Sequence, residues 1–209
     1  MEKVLVTGAT GYIALHCVQQ LLDKGYAVNG SIRSPERKNE IIDALKNSNT
    51  STENLNLFTF NLTSDDGWDA GMEGCDYVLH VASPLALENH TEDYFVKPAV
   101  EGAMRALKFA KKHNVKKVVL TSSVAAIFET GIEKVDYDEN DWSDPDNPKI
   151  SNYAKSKTLA EKAAWDFLDQ EDNPFEFAVI NPALVIGPSL SGDLGVSNFA
   201  IEMVVTGKM

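Results

Sequence analysis

Short apolar runs alternate with longer stretches of helical apolar spacing along almost the whole chain. Val4, Leu5 and Val6 form the first run, so residues 3–7 read as a buried strand. After Gly8-Ala9-Thr10-Gly11, Leu15, Val18, Leu21 and Leu22 recur three and four residues apart, predicting a helix that stops near Gly25. The same pattern predicts strands over 26–32, 55–60, 76–82, 117–121 and 177–180, and helices over 36–46, 93–113 and 152–168. A last helix is expected to run to Met209. Continuously apolar strands separated by helices imply an α/β fold, a doubly wound parallel sheet of the Rossmann type with helices on both faces. No internal repeat or linker divides it, and 209 residues suffice for one good core.

Right-handed crossovers bring the carboxyl ends of parallel strands to one edge, where such sheets bind dinucleotides. That edge collects Gly8, Arg33, Asn61-Leu62, Val81-Ala82-Ser83, Ser122-Ser123 and Asn181-Pro182. Gly8 allows the tight turn, and Gly11 lets backbone N–H groups approach a pyrophosphate at the helix N-terminus. Ala14 takes the third position of the glycine pattern and still permits close helix packing. No carboxylate follows the second strand to bind a ribose 2′-hydroxyl. Arg33 follows it instead, with Arg37 and Lys38 close behind, and a guanidinium forms a forked contact with a 2′-phosphate. NADP(H) is therefore favoured over NAD(H). The alternative is that these cations begin a solvated helix and pair with Glu36 and Glu40.

Tyr153 and Lys157 are four residues apart and share one face of the predicted 152–168 helix. An ammonium beside a phenol favours the phenolate, so Lys157 is expected to lower the Tyr153 pKa towards neutrality. Such a tyrosine can give a proton to a carbonyl oxygen while hydride reaches the adjoining carbon. A hydroxyl from Ser122 or Ser123 could hold the same oxygen.

Composition narrows the partners. A formal charge of −12 and a pI near 4.7 argue against nucleic acid or an anionic membrane. Cys17 and Cys75 have no metal-site spacing and read as packed thiols, and no metal is expected. His16, His80, His90 and His113 likewise suit packing. The first strand leaves no room for a signal peptide, no apolar run reaches membrane length, and a cytoplasmic location is expected. The acid-rich stretch 136–148 reads as a solvated loop.

Val6 to Ala14, His80-Val81-Ala82-Ser83-Pro84, Thr121-Ser122-Ser123, Tyr153-Ala154-Lys155-Ser156-Lys157 and Ile180 to Pro188 occur in order across the chain. In these motifs the chain resembles the extended short-chain dehydrogenase/reductases, the NAD-dependent epimerase/dehydratase superfamily. Within them it resembles the dihydroflavonol reductase-like carbonyl and aldehyde reductases. The resemblance implies an NADPH-dependent oxidoreductase for an aldehyde or ketone, in which Ser123 positions the substrate oxygen and Tyr153 is the general acid or base. Lys157 would bind the nicotinamide ribose and lower the pKa of Tyr153. Cofactor contacts are implied for Gly8, Thr10, Gly11, Tyr12, Ile13, Arg33, Lys38, Asn61, Leu62, Val81, Ala82, Ser83, Thr121, Tyr153, Lys157, Pro182 and Val185. Asn61 replaces the family's frequent Asp beside the adenine, and its amide can serve there. The backbone after Asn181-Pro182 would approach the nicotinamide carboxamide. The resemblance further implies that residues 1–209 are the NAD(P)-binding domain, with most of a smaller C-terminal substrate lobe outside the chain. A two-helix dimer face is common among relatives, so a homodimer is one expected state, although no stripe compels it. A nucleotide-sugar epimerase or dehydratase, or an inactive dinucleotide-binding module, stays open as an alternative.

Overall fold

A computed structural model describes residues 1–86, 90–130, 134–172 and 174–208. Six strands form one parallel sheet: β1 (Lys3–Val6), β2 (Ala27–Ile32), β3 (Leu55–Thr59), β4 (Tyr77–His80), β5 (Lys117–Thr121) and β6 (Glu176–Ile180). Their order is β3-β2-β1-β4-β5-β6, the doubly wound arrangement expected. Register places Val6 beside Gly30 and Leu79, and Leu120 beside His80 and Val179, so the carboxyl ends of β1, β2, β4, β5 and β6 are level.

The helices are α1 (Tyr12–Asp23), α2 (Lys38–Asn47), α3 (Trp68–Met72), α4 (Glu92–Lys112), α5 (Ala125–Phe128), α6 (Asn152–Gln170) and α7 (Gly195–Val205). One face of the sheet buries Leu15 and Val18 of α1 and Ile41 and Leu45 of α2 against Val4, Val6 and Val28. The other packs Trp68, Ala103, Leu107 and Ala160 from α3, α4 and α6 against Leu5, Val78 and Val118. Trp68 is wholly buried between Phe60 and Phe109, and its Nε1–H donates to the Asn61 carbonyl at 2.9 Å. Each fully buried side chain of this size contributes about 1.5–3 kcal/mol, so both faces are needed to offset chain entropy.

Several boundaries differ from the periodicity for identifiable reasons. The predicted 36–46 helix begins as a 3-10 turn over Pro35–Arg37 before α2. Pro35 fixes its own φ and supplies the turn's first position. β4 stops at His80 rather than 82, because the amides of Val81 and Ala82 turn onto the Thr7 hydroxyl. α3 and α5, of five and four residues, are too short to show a helical period. The last helix stops at Val205 rather than running on to Met209, with Thr206 as its C-cap and Gly207 at φ +66°; Met209 itself lies outside the described residues. Most of 136–148 is exposed loop as expected, with Lys134 paired to Asp141, but Ser143 is buried, its hydroxyl donating to the Ala125 carbonyl at 2.7 Å and accepting the Glu129 amide at 2.8 Å. Cys17 and Cys75 are free, and burial pushes the Cys75 thiol up to about 11.

Candidate active site

The turn between β1 and α1 is built to leave backbone amides open. Gly8 has φ +71°, and a Cβ there would come within 3.0 Å of the Ala82 Cβ, so the strand and the loop after β4 approach as only glycine allows. The Gly8 N–H donates to Ser31 Oγ at 2.8 Å and the Gly11 N–H to the Gly8 carbonyl at 2.8 Å, which holds the turn shut. Gly11 is the N-cap of α1 and offers no side-chain cap, leaving the amides of Tyr12 and Ile13 at the positive end of the helix. A cradle a Cβ would fill, next to uncapped amides, fits a dinucleotide pyrophosphate.

Beside this turn the loop after β4 is anchored through a buried relay. Thr7 Oγ1 accepts from the Val81 and Ala82 amides, each at 3.0 Å. Its single proton is then left for His80 Nδ1, also 3.0 Å away, so the imidazole is neutral with its proton on Nε2. Burial agrees, pushing the His80 pKa down to about 3, with the nearby Lys157 charge acting in the same direction. Ser83, next along the loop, buries a hydroxyl with no protein partner, as does Ser122. Both line a cavity of about 10 Å³ with His80, Lys157 and Glu161.

The basic residues after β2 divide between exposed cations and a paired one. Arg33 stands exposed directly beyond β2, and Lys38 is exposed at the start of α2; among the described residues neither has an ion pair. Arg37 reaches the glycine turn instead, donating to Thr10 Oγ1 at 3.1 Å while its other nitrogens hold Glu40 at 2.8 and 2.7 Å. The Glu40 hydrogen bond raises the Arg37 pKa. The surface pairing set against phosphate recognition thus holds for Arg37 and leaves Arg33 open to an anion. Asn61 has its side-chain oxygen engaged by the Thr63 amide and hydroxyl at 2.6 and 2.8 Å, an Asx turn that leaves only the amide NH₂ for an adenine. Leu62 packs against Gly102 of α4 rather than towards the edge.

At the other end, Ser122, Ser123, Tyr153 and Lys157 come together. The Ser151 hydroxyl, two residues before Tyr153, caps α6 by accepting from the Ala154 amide at 3.1 Å. Lys157 is buried, its Nζ 5.8 Å from the Tyr153 ring centroid and donating to the Thr121 carbonyl at 3.1 Å. Burial pulls its pKa down to about 8, with Glu161 pulling the other way. The Tyr153 phenol departs from expectation. Burial raises its pKa, with Ser123 opposing, because the ammonium is held at the Thr121 carbonyl. Ser123 Oγ accepts the Ala125 amide at 3.1 Å, and the Pro182 carbonyl accepts the Val124 amide at 3.0 Å, so the serine turn is fixed to the segment after β6. The Asn181 side chain turns inward, to the Ser123 carbonyl and Glu161, and away from any carboxamide role. Val185 follows, half-buried and outside any regular element.

Glu161 lies outside the motifs, and Thr7 and His80 lie within them but were expected only to pack, yet all three belong to this centre. Glu161 had one signal, its spacing of four from Lys157. Among the described residues no cluster of three metal-ligating side chains occurs, and no helix is long and apolar enough to cross a membrane.

Over 211 residues the chain is 39% identical to cinnamoyl-CoA reductase CAD2 of Medicago truncatula, covering 98% of this chain and 64% of that protein. Among solved structures, yeast methylglyoxal/isovaleraldehyde reductase Gre2 complexed with NADPH superposes with a TM-score of 0.78 at 31% identity, covering 90% of this chain and 59% of the other. Vestitone reductase from alfalfa superposes with a TM-score of 0.79 at 34% identity, covering 94% and 61%. The chain therefore spans a little under two thirds of the length of these relatives. The family model for the NAD dependent epimerase/dehydratase family matches residues 4–207, and the chain belongs to that family.

Proposed function

We propose that the chain forms the catalytic and cofactor-binding part of an NADPH-dependent oxidoreductase that reduces an aldehyde or ketone. The observation that carries this reading is the meeting of Ser123, Tyr153 and Lys157 at the sheet edge that also bears the uncapped Gly8–Gly11 turn. Bound NADPH supplies the hydride. Tyr153 supplies the proton to the carbonyl oxygen, Ser123 holds that oxygen, and Lys157 carries positive charge beside the phenol. Lys157 Nζ lies 5.8 Å from the Tyr153 ring centroid, held by the Thr121 carbonyl at 3.1 Å.

Gly8, Thr10, Gly11, Tyr12 and Ile13 hold the pyrophosphate, and Arg33 and Lys38 take a 2′-phosphate. Val81, Ala82, Ser83, Thr121, Pro182 and Val185 line the nicotinamide side. Leu184, Ile186, Val204 and Val205 are exposed apolar side chains. Two free thiols suit a reducing, cytoplasmic compartment. The test is a panel of aliphatic and aromatic carbonyls with NADPH, following absorbance of the nicotinamide. Consumption with at least one carbonyl is expected. Conversion of a nucleotide sugar without net consumption would replace this reading by an epimerase.

A further inference from the structure

Tyr153, Lys157 and Glu161 follow one another at intervals of four on the buried face of α6. Glu161 is only 6% exposed and has an acceptor to satisfy in a protein interior, where an isolated carboxylate is costly. Asn181 answers it, donating from Nδ2 to Glu161 Oε2 at 2.9 Å and to the Ser123 carbonyl at 3.2 Å. Both acceptors are oxygens, which fixes the orientation of the amide and uses both of its N–H groups. The same serine turn is tied to this segment twice more, by the Ser122 amide to the Ile180 carbonyl at 2.8 Å and the Val124 amide to the Pro182 carbonyl at 3.0 Å.

Lys157 lines the same cavity as Glu161, and no direct ion pair joins them. From β4 the cavity receives neutral His80, from β5 Leu120 and Thr121, from the turn after it Ser122, from the loop after β4 Ala82 and Ser83, and from α4 only Ala99. Among the described residues, Glu161 is thus the only anionic side chain lining it. We propose that Glu161 is a positioning residue of the site: its buried carboxylate keeps Lys157 charged across the cavity and, through Asn181, sets the Ser122-Ser123 turn. One helix face then fixes both the cation and the serine that flank Tyr153. The consequence for turnover rests on the oxidoreductase reading, whereas the coupling itself does not.

The test is a double-mutant cycle of the 209-residue chain without cofactor: parent, Glu161→Gln, Lys157→Met and the double variant, unfolded in urea at pH 6.5 and pH 9.5. Gln keeps the acceptor for Asn181 and removes only the charge. At pH 6.5 the folding equilibrium is expected to fall at least about tenfold more when Gln replaces Glu161 in the parent than in the Lys157→Met background, one pKa unit of coupling. At pH 9.5, with Lys157 neutral, the difference should vanish. If Glu161→Gln alone does not fold, the double variant should, because the unpaired cation is gone. Equal losses in both backgrounds, or a double variant that also fails to fold, would overturn the proposal. NADPH titration of the folded parent is scored separately and bears only on the cofactor reading.

Discussion

Thr7 Oγ1 lies 3.0 Å from His80 Nδ1, and this buried contact governs how the chain leaves β4. With two amides already donating to it, the hydroxyl can only donate to the imidazole. Thr7→Val would strand two amides and a ring nitrogen, at a cost of about 1–3 kcal/mol or more. Thr7→Ser keeps the hydroxyl and should lose clearly less. Urea unfolding of both variants checks this, and equal losses would mean that the hydrogen bonds do not hold the loop.

Tyr153→Phe keeps the ring against Phe95 and removes only the transferable proton. Carbonyl reduction should fall by at least about a hundredfold, in the range of general acid catalysis, with NADPH affinity nearly unchanged. Steady-state rates beside a binding titration separate the two. Retained turnover would remove Tyr153 as the proton donor.

Arg33→Ala should weaken NADPH by about tenfold or more while changing NADH little, since only the former carries the 2′-phosphate. Arg37 is already held by Glu40 at 2.7 Å, so Arg37→Ala should have the smaller effect on this preference. Parallel losses for both nucleotides in Arg33→Ala would assign the phosphate to another cation.

Lys157 makes stability depend on pH in a defined direction. Its folded pKa, about 8, lies below the 10.5 of an unburied lysine, so the folded chain releases this proton first. Between those values the unfolded state binds more protons, and stability from this group rises with pH. Below pH 8 its full cost is present. The stability of the parent relative to Lys157→Met should therefore improve by about 3 kcal/mol from pH 7 to pH 11. A flat difference across that range would mean that Lys157 titrates normally.

The sheet was legible because its signal is local. Apolar runs such as Val4-Leu5-Val6 and helical spacing such as Leu15, Val18 and Leu22 each declare their element within a few residues. Glycine turn, serine pair and tyrosine-lysine spacing were legible for the same reason, each being a short motif on one element. Less legible was whatever depends on two distant segments meeting. Thr7 and His80 are 73 residues apart, and Asn181 meets Glu161 across 20. The phenol of Tyr153 is a further case: helix spacing places Lys157 beside it, but only the Thr121 carbonyl from β5 shows where the ammonium rests.

Whether this edge of the sheet holds NADPH is decided by titrating the purified 209-residue chain with NADPH and NADH while following nicotinamide fluorescence. Saturable binding with a clear preference for NADPH is expected. Binding of NADH as tight as NADPH would contradict the role of Arg33, and binding of neither would contradict the cofactor site itself.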